Sequence, residues 1–326
     1  MKVAVVGATG LVGQKMLRVL EEHKFPVSEL IPVASERSEG KNVKFCGKDY
    51  TVCGFTEALS RKPQIALFSA GKDISLAWAQ AFVDVGCTVI DNSSAWRMHE
   101  NIPLVVPEIN GHTLSLDPQI IANPNCSTIQ LVAVLYPLHL AFGLKRVIVS
   151  TYQSVSGSGY KGVKQMNDER NGIENRCAYP HQIFMNCIPH GGNFLANDYT
   201  DEEMKLLNES RKIMGIPDLA LSGTVVRVPV AGGHSESVNI EFINKPDVAN
   251  IREILSKTAG IIVQDKPAEN LYPMPLYAED KDEVFVGRIR ADLSNCNAIN
   301  LWIVSDNLRK GAATNAVQIA EYLINR

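Results

Sequence analysis

The sequence predicts an α/β fold in two parts: a doubly wound parallel sheet at the N-terminus, then an α+β domain built on a mixed sheet. Three observations carry the prediction. Short apolar runs alternate with amphipathic segments through the first part of the chain. A glycine-rich turn, Gly7-Ala8-Thr9-Gly10-Leu11-Val12-Gly13, joins the first apolar run to the first amphipathic segment. Past Leu140 the strand-like runs lengthen and dominate.

Val3–Val6, Leu30–Ala34, Ile65–Ser69 and Thr88–Asp91 read as buried parallel strands, because they are apolar without alternation. Leu11–Glu22 and Ile74–Val85 carry a helical period between them, which completes the βαβ rhythm. Ile129–Leu140 is an apolar helical run directly after the irregular Asn123-Pro124-Asn125. The second part offers strands at Arg146–Val155, Thr224–Val230, Ser237–Ile243, Glu283–Arg290 and Ala298–Val304, and helices at Asp201–Met214 and Val248–Lys257. Gly311–Ile324 is amphipathic again and is expected to return to the first domain. The domains are therefore drawn as 1–127, completed by 307–326, and 128–306. The glycine- and polar-rich stretch Ser156–Asn197 has no readable period.

Composition narrows the function. The chain has 326 residues, 45% hydrophobic, with a net charge of −3, so it has neither the basic excess of a nucleic-acid binder nor a basic amphipathic tract for a membrane surface. No apolar run is long enough to span a bilayer, and the first apolar run is too short for a signal peptide. The seven cysteines are widely spaced with no Cys-x-x-Cys pair. No metal site or disulfide framework is expected, and a reducing cytoplasm is the simpler inference. Most of the cysteines read as small core residues.

Cys126 is the exception. It stands where Asn123-Pro124-Asn125 gives way to a helix, so helix N–H groups and dipole favour its thiolate. A free thiol is only about 3% ionised at neutral pH, and lowering its pKa to about 7 would make it half thiolate. The residue is a candidate nucleophile.

The spacing Gly-x-x-Gly-x-x-Gly after a strand and before a helix suits a dinucleotide pyrophosphate, making this a Rossmann-type domain; a plain glycine turn is the alternative. Ser35, Arg37 and Ser38 follow the second strand as donors for a 2′-phosphate, although Glu36 points toward a ribose hydroxyl and the group could be a solvated turn. Gln153 ends a strand before the glycine-rich turn Ser156-Gly157-Ser158-Gly159. Arg227 interrupts an apolar strand, so it either faces solvent or pairs with a ligand carboxylate. His234 follows Gly232-Gly233 and has the pKa range for proton transfer, but it gains weight only beside Cys126.

Taken in order, these blocks closely resemble the aspartate-β-semialdehyde dehydrogenase family. They are Gly7–Gly13, Asn123–Thr128, Gln153–Gly159, Arg227–Pro229, Gly233–Glu236, Phe285–Arg290 and Ser305–Ala312. The stretch Tyr160–Asn197 matches least well. The resemblance implies NADPH-dependent reductive dephosphorylation of L-aspartyl-4-phosphate, in the pathway to lysine, threonine, methionine and isoleucine. It implies a thioester on Cys126, with His234 as acid/base and Gln153 orienting the acyl group. Arg227 and Glu202 would meet the substrate's α-carboxylate and ammonium. Arg97, Asn125 and Lys205 would meet its phosphate. The cofactor set would be Gly7, Thr9, Gly10, Leu11, Val12, Gly13, Ser35, Arg37, Ser38, Ser156, Gly157 and Asn307, with Asn307 in the segment closing over the nicotinamide. A cytoplasmic homodimer built on the second domain is implied as well. The alternatives are another cysteine-dependent acyl-phosphate or acyl-CoA reductase, or a catalytically silent relative.

Overall fold

A computed structural model describes residues 1–326 as two compact units, Met1–Asn125 with Ala312–Arg326, and Cys126–Gly311. The first unit is the doubly wound sheet. Its strands β1 (Lys2–Val6), β2 (Glu29–Val33), β5 (Ile65–Phe68), β6 (Thr88–Asp91) and β7 (Ile120–Ala122) are all parallel, in the order β2-β1-β5-β6-β7. Alternate side chains of β1 feed two separate cores. Val3 and Val5 pack with Met16, Leu17 and Leu20 of α1 (Leu11–Glu22), while Ala4 and Val6 pack with Ala79 and Phe82 of α3 (Lys72–Asp84). Burial on both faces explains why these strands are apolar without alternation.

Five elements of this unit escaped the sequence reading. They are β7, the hairpin β3 (Asn42–Phe45) with β4 (Lys48–Thr51), the short α2 (Phe55–Ser60) and the one-turn α4 (Pro107–Asn110). All are too short to establish a period. The hairpin turn also rests on Cys46 and Gly47 at positive φ, and Cys46 is not a usual turn residue.

The second unit is a six-stranded mixed sheet in the order β11-β12-β13-β10-β8-β9, which is the α+β class expected. Its strands are β8 (Leu144–Gln153), β9 (Ala220–Arg227), β10 (His234–Phe242), β11 (Ile261–Val263), β12 (Val284–Ala291) and β13 (Ala298–Ser305). Central β10 runs antiparallel to β8 and β13, while β8–β9 and β11–β12 are parallel. Helix α5 (Cys126–Phe142) lies on β8, β10 and β13 and is covered by α7 (Asp201–Met214) and α8 (Val248–Lys257). A helix enclosed on both sides needs no polar stripe, which accounts for its apolar sequence.

Several strand boundaries differ from the sequence reading; β8 runs from Leu144 to Gln153 rather than from Arg146 to Val155. β9 begins at Ala220 rather than Thr224 and stops at Arg227, before Pro229. β10 begins at His234 rather than Ser237, so the histidine belongs to the strand and not to the turn before it. The unreadable stretch also holds structure. Helix α6 (Gly159–Arg170) turns Gln165 and Glu169 toward the following loop. Gln165 Oε1 accepts the N–H groups of Ala178 and Tyr179, and Glu169 Oε2 those of Ile183 and Phe184. Two side chains one turn apart thus replace the regular ladder the loop lacks.

The one-turn α9 (Pro275–Ala278) precedes β12, and α10 (Thr314–Ile324) closes the chain after a turn of π-helix, Arg309–Ala313. Inside the first unit α10 packs on α1. The expectation that most cysteines are core residues fails. Of the six besides Cys126, only Cys53 and Cys87 are buried, because the other four lie in turns and loops, outside any core-facing stripe. No helix is long and apolar enough to cross a membrane.

Candidate active site

Within the first unit the glycine turn leaves β1 at the point where the strand order reverses, between β2 and β5. Gly7 has φ +82° and its N–H donates to the Val33 carbonyl at 2.8 Å. A Cβ on Gly13 would stand 2.1 Å from the Gly7 carbonyl oxygen, so α1 can begin against the turn only with glycine there. Thr9, Gly10 and Leu11 are exposed and Val12 half-buried at the start of a 12-residue helix. An exposed main chain at a helix N-terminus fits a pyrophosphate.

Ser35, Arg37 and Ser38 follow β2 in a turn at the rim of a cavity of about 800 Å³ lined also by Phe55 and Trp78. Those two rings stack with centroids 4.6 Å apart, a feature that local sequence could not pair. Glu36, Glu39 and Glu57 line the same cavity, so Arg37 is its one cation. Arg97 is buried in this unit and donates to the Asn92 carbonyl at 2.9 Å; Asn125 is buried at its edge.

The second unit gathers most of the remaining candidates. Cys126 is the first residue of the 17-residue α5 and is half-buried. A Cβ on Gly311 would come within 2.9 Å of the Cys126 Cβ, so the π-helical turn lies directly against the nucleophile. Beside it, Gln153 Nε2 donates to Ser127 Oγ at 2.9 Å, tying the end of β8 to the first turn of α5. Gln153 Oε1 is buried without a partner.

His234 is fully buried at the start of β10. The Ser154 main-chain N–H donates to its Nδ1 at 3.1 Å, so Nδ1 is a lone pair and Nε2 carries the proton. Burial, and then the charge of Arg227, lower its pKa to about 3, so the ring is neutral at physiological pH. Nε2 has no partner, nor does Arg227 Nη1. Both stand over Gly157, where a Cβ would lie 2.7 Å from Arg227 Nη1 and 3.0 Å from His234 Nε2. Arg227, the last residue of β9, is 7% exposed, which settles its orientation as inward. A neutral N–H donor and a guanidinium thus converge where no side chain intervenes.

Glu202 and Lys205 lie in the first turns of α7 and form an ion pair with each other. Their helix starts with a Thr200–Glu203 capping box and ends at left-handed Gly215. Glu202 is close enough to favour protonation of His234.

Asn307 and Ser156, expected at the cofactor, are buried and bonded to each other. Asn307 Oδ1 accepts Gly233 N–H at 3.0 Å, Ser154 Oγ at 3.0 Å and Ser156 Oγ at 3.2 Å, and its Nδ2 donates to Ser156 Oγ at 3.1 Å. Sequence reasoning passed over Ser127 and Ser154, whose bonds join segments distant along the chain. The signal available was their adjacency to Cys126 and Gln153.

The semialdehyde dehydrogenase NAD binding domain matches residues 2–116, and the semialdehyde dehydrogenase dimerisation domain matches residues 135–310. The chain is 50% identical to the aspartate-semialdehyde dehydrogenase of Aquifex aeolicus, over 99% of this chain and 98% of that protein. It is similar to the crystal structure of aspartate semialdehyde dehydrogenase II of Vibrio cholerae complexed with ASA, with TM-score 0.94 and 45% identity over 99% of this chain and 98% of that one. The crystal structure of aspartate semialdehyde dehydrogenase with NADP from Candida albicans gives TM-score 0.78 and 27% identity, over 99% and 98% of the two chains.

Proposed function

The chain belongs to the aspartate-semialdehyde dehydrogenase family, and on that premise we propose that Cys126 carries the aspartyl group as a thioester, with NADP as the preferred dinucleotide. The reaction is the amino-acid biosynthetic one, L-aspartyl-4-phosphate to L-aspartate-4-semialdehyde. The observation that carries the residue assignment is the meeting of His234 Nε2 and Arg227 Nη1 over Gly157, in the unit that begins with Cys126.

The Cys126 thiolate attacks the acyl carbonyl; the C–S bond forms and phosphate leaves. Gln153, held by its Nε2 bond to Ser127 Oγ, orients the acyl group. The hydride that reduces the thioester would come from NADPH held by the residues of the glycine turn. His234 Nε2–H donates to the oxygen on which negative charge develops, and collapse of the hemithioacetal returns the thiolate and frees the aldehyde. Arg227 takes the α-carboxylate, Glu202 the ammonium, and Arg97, Asn125 and Lys205 the phosphate. Gly7–Gly13 with Thr9, Leu11 and Val12 hold the pyrophosphate, and Ser35, Arg37 and Ser38 favour the 2′-phosphate. Ser156 and Gly157 complete the nicotinamide side, and Asn307 holds the Gly233 turn beneath them.

The dimerisation-domain match supports a homodimer. The half-exposed Tyr152 and Trp302, neighbours on the sheet face away from α5, suit such a contact. Seven cysteines with no disulfide among them suit a reducing cytoplasm. An NADP-coupled assay with aspartate semialdehyde, with and without phosphate, tests substrate, cofactor and reaction class together. Oxidation is expected only with phosphate or arsenate, and equal turnover without either would overturn the acyl-phosphate chemistry.

A further inference from the structure

The interface between α5 and the sheet is polar for two layers at the Cys126 end and apolar beyond. Its outer layer holds Cys126, Gln153 and His234. One step inward on each of the same three elements stand Gln130, Thr151 and Glu236. Gln130 is one helical turn from Cys126, Thr151 two residues before Gln153 on β8, and Glu236 two residues after His234 on β10. Glu236 and Thr151 are cross-strand partners. One step further the partners are Val149 and Val238.

All three inner side chains are fully buried. Gln130 Oε1 and Nε2, Thr151 Oγ1 and both Glu236 carboxyl oxygens have no hydrogen-bond partner. Five such atoms in one layer carry a desolvation cost that an apolar layer would not, so packing does not explain them. Burial pushes the Glu236 carboxyl well above the usual carboxylate range, and the nearby Gln130 amide is the group that opposes the shift. Burial thus favours the neutral carboxyl of Glu236, the form that can donate to the facing amide.

We infer that Glu236, acting through Gln130, is a positioning residue for the Cys126 sulfur. The helix carrying the nucleophile meets the sheet at two successive turns. The first is the Ser127–Gln153 bond to β8. The second is the apposition of Gln130 and Glu236, on β10, the strand that carries His234. The link to β8 sets the first turn of α5 against Gln153; the second sets the same helix against β10, and so the sulfur relative to the imidazole. The inference rests on the reading of Cys126 and His234 as the reacting pair.

Three variants test it in the full-length protein: Glu236→Gln, Glu236→Leu and Gln130→Leu. Two measurements are made on each, phosphate-dependent turnover and the rate at which iodoacetamide alkylates Cys126, followed by peptide mass spectrometry. Glu236→Gln keeps a neutral group of the same length and is expected to stay within about threefold of wild type in kcat. Either leucine variant is expected to lower kcat at least tenfold and change the alkylation rate, with KM within about threefold and the thermal midpoint no lower than wild type. Wild-type kcat and alkylation in a folded leucine variant overturn the inference, as does a fall in Glu236→Gln equal to that in Glu236→Leu. If Glu236→Leu does not fold, Gln130→Leu decides by the same criteria, and if neither folds the cluster is structural and the inference fails. Wild-type protein inactive on aspartate semialdehyde would instead overturn the proposed function, and alkylation still reports on the sulfur in that case.

Discussion

The main-chain N–H of Ser154 donates to Nδ1 of His234 at 3.1 Å. A backbone amide can only donate, so this bond fixes the tautomer in a way a serine hydroxyl could not. The proton sits on Nε2, toward Gly157 and Arg227. In the proposed role His234 enters the reaction as a neutral hydrogen-bond donor to the charge that develops on the bound acyl oxygen.

His234→Asn is expected to lower kcat roughly 100- to 10,000-fold, the usual weight of a general acid–base group, with little change in KM. Single-turnover hydride transfer checks it, and an unchanged rate would move the proton chemistry to another residue. Stability gives a second reading. With a folded pKa of about 3 against an ordinary 6.5, the unfolded chain takes up the proton first as pH falls. The stability His234 contributes is full above pH 6.5 and is lost progressively as pH falls from there toward 3. Over that window wild type is expected to lose up to about 1.4 kcal/mol per pH unit relative to His234→Gln, measured by urea unfolding at stepped pH.

Gly157→Ala tests the meeting point itself. Its methyl group would sit 2.7 Å from Arg227 Nη1, the end of a flexible side chain that can give way. The fold is therefore expected to survive while the guanidinium is displaced. Losing one charge-assisted contact costs about 1.5–3 kcal/mol, so KM for aspartate semialdehyde is expected to rise roughly 10- to 100-fold. KM for NADP is expected to rise less, because the added methyl group meets Arg227 and His234 and leaves the Gly157 main chain in place. A parallel rise in both constants would place the carboxylate site elsewhere.

The sequence was most informative where a local rule sufficed. Helix α1 was read at both ends, because a glycine turn and an unbroken period bound it. Cys126 falls near a helix start, because the irregular Asn123-Pro124-Asn125 gives way there to an apolar helical run. Arg227 was left open between solvent and ligand. Only the three-dimensional placement of Gly157 and His234 decides it, and Gly157 lies 70 residues away in the chain. The Phe55–Trp78 stack, the Ser127–Gln153 bond and the Gln130–Glu236 apposition share that character. Each joins residues whose own neighbourhoods carry no sign of the partner, so periodicity and spacing could not reach them.

Arg37 is the single cation on the cavity after β2, set among three glutamates. In that surrounding a 2′-phosphate loses its main attraction when the arginine is removed, whereas a 2′-hydroxyl loses little. Arg37→Ala is expected to weaken NADPH about 10-fold or more, as the loss of one charge-assisted contact would, and NADH less than threefold. Fluorescence titration of both dinucleotides measures this, and equal weakening would remove the basis for a preference.

Asn307 was expected to serve the cofactor, yet its Oδ1 holds three donors, one of them the N–H of Gly233 immediately before His234. Such an oxygen, 3% exposed with its residue, has no capacity left for a ligand. Its removal would free the Gly233 amide and the Ser154 hydroxyl together, and the turn that aims His234 would lose its anchor. Asn307→Ala is therefore expected to lower kcat roughly 10- to 100-fold, since small misplacements of a reacting group are costly. NADPH affinity is expected to change less than threefold. Asn307→Asp keeps the acceptor oxygen and is expected to recover part of the rate. A variant that binds NADPH tenfold more weakly at unchanged kcat would return the side chain to the cofactor and leave the aim of His234 to Ser154 alone.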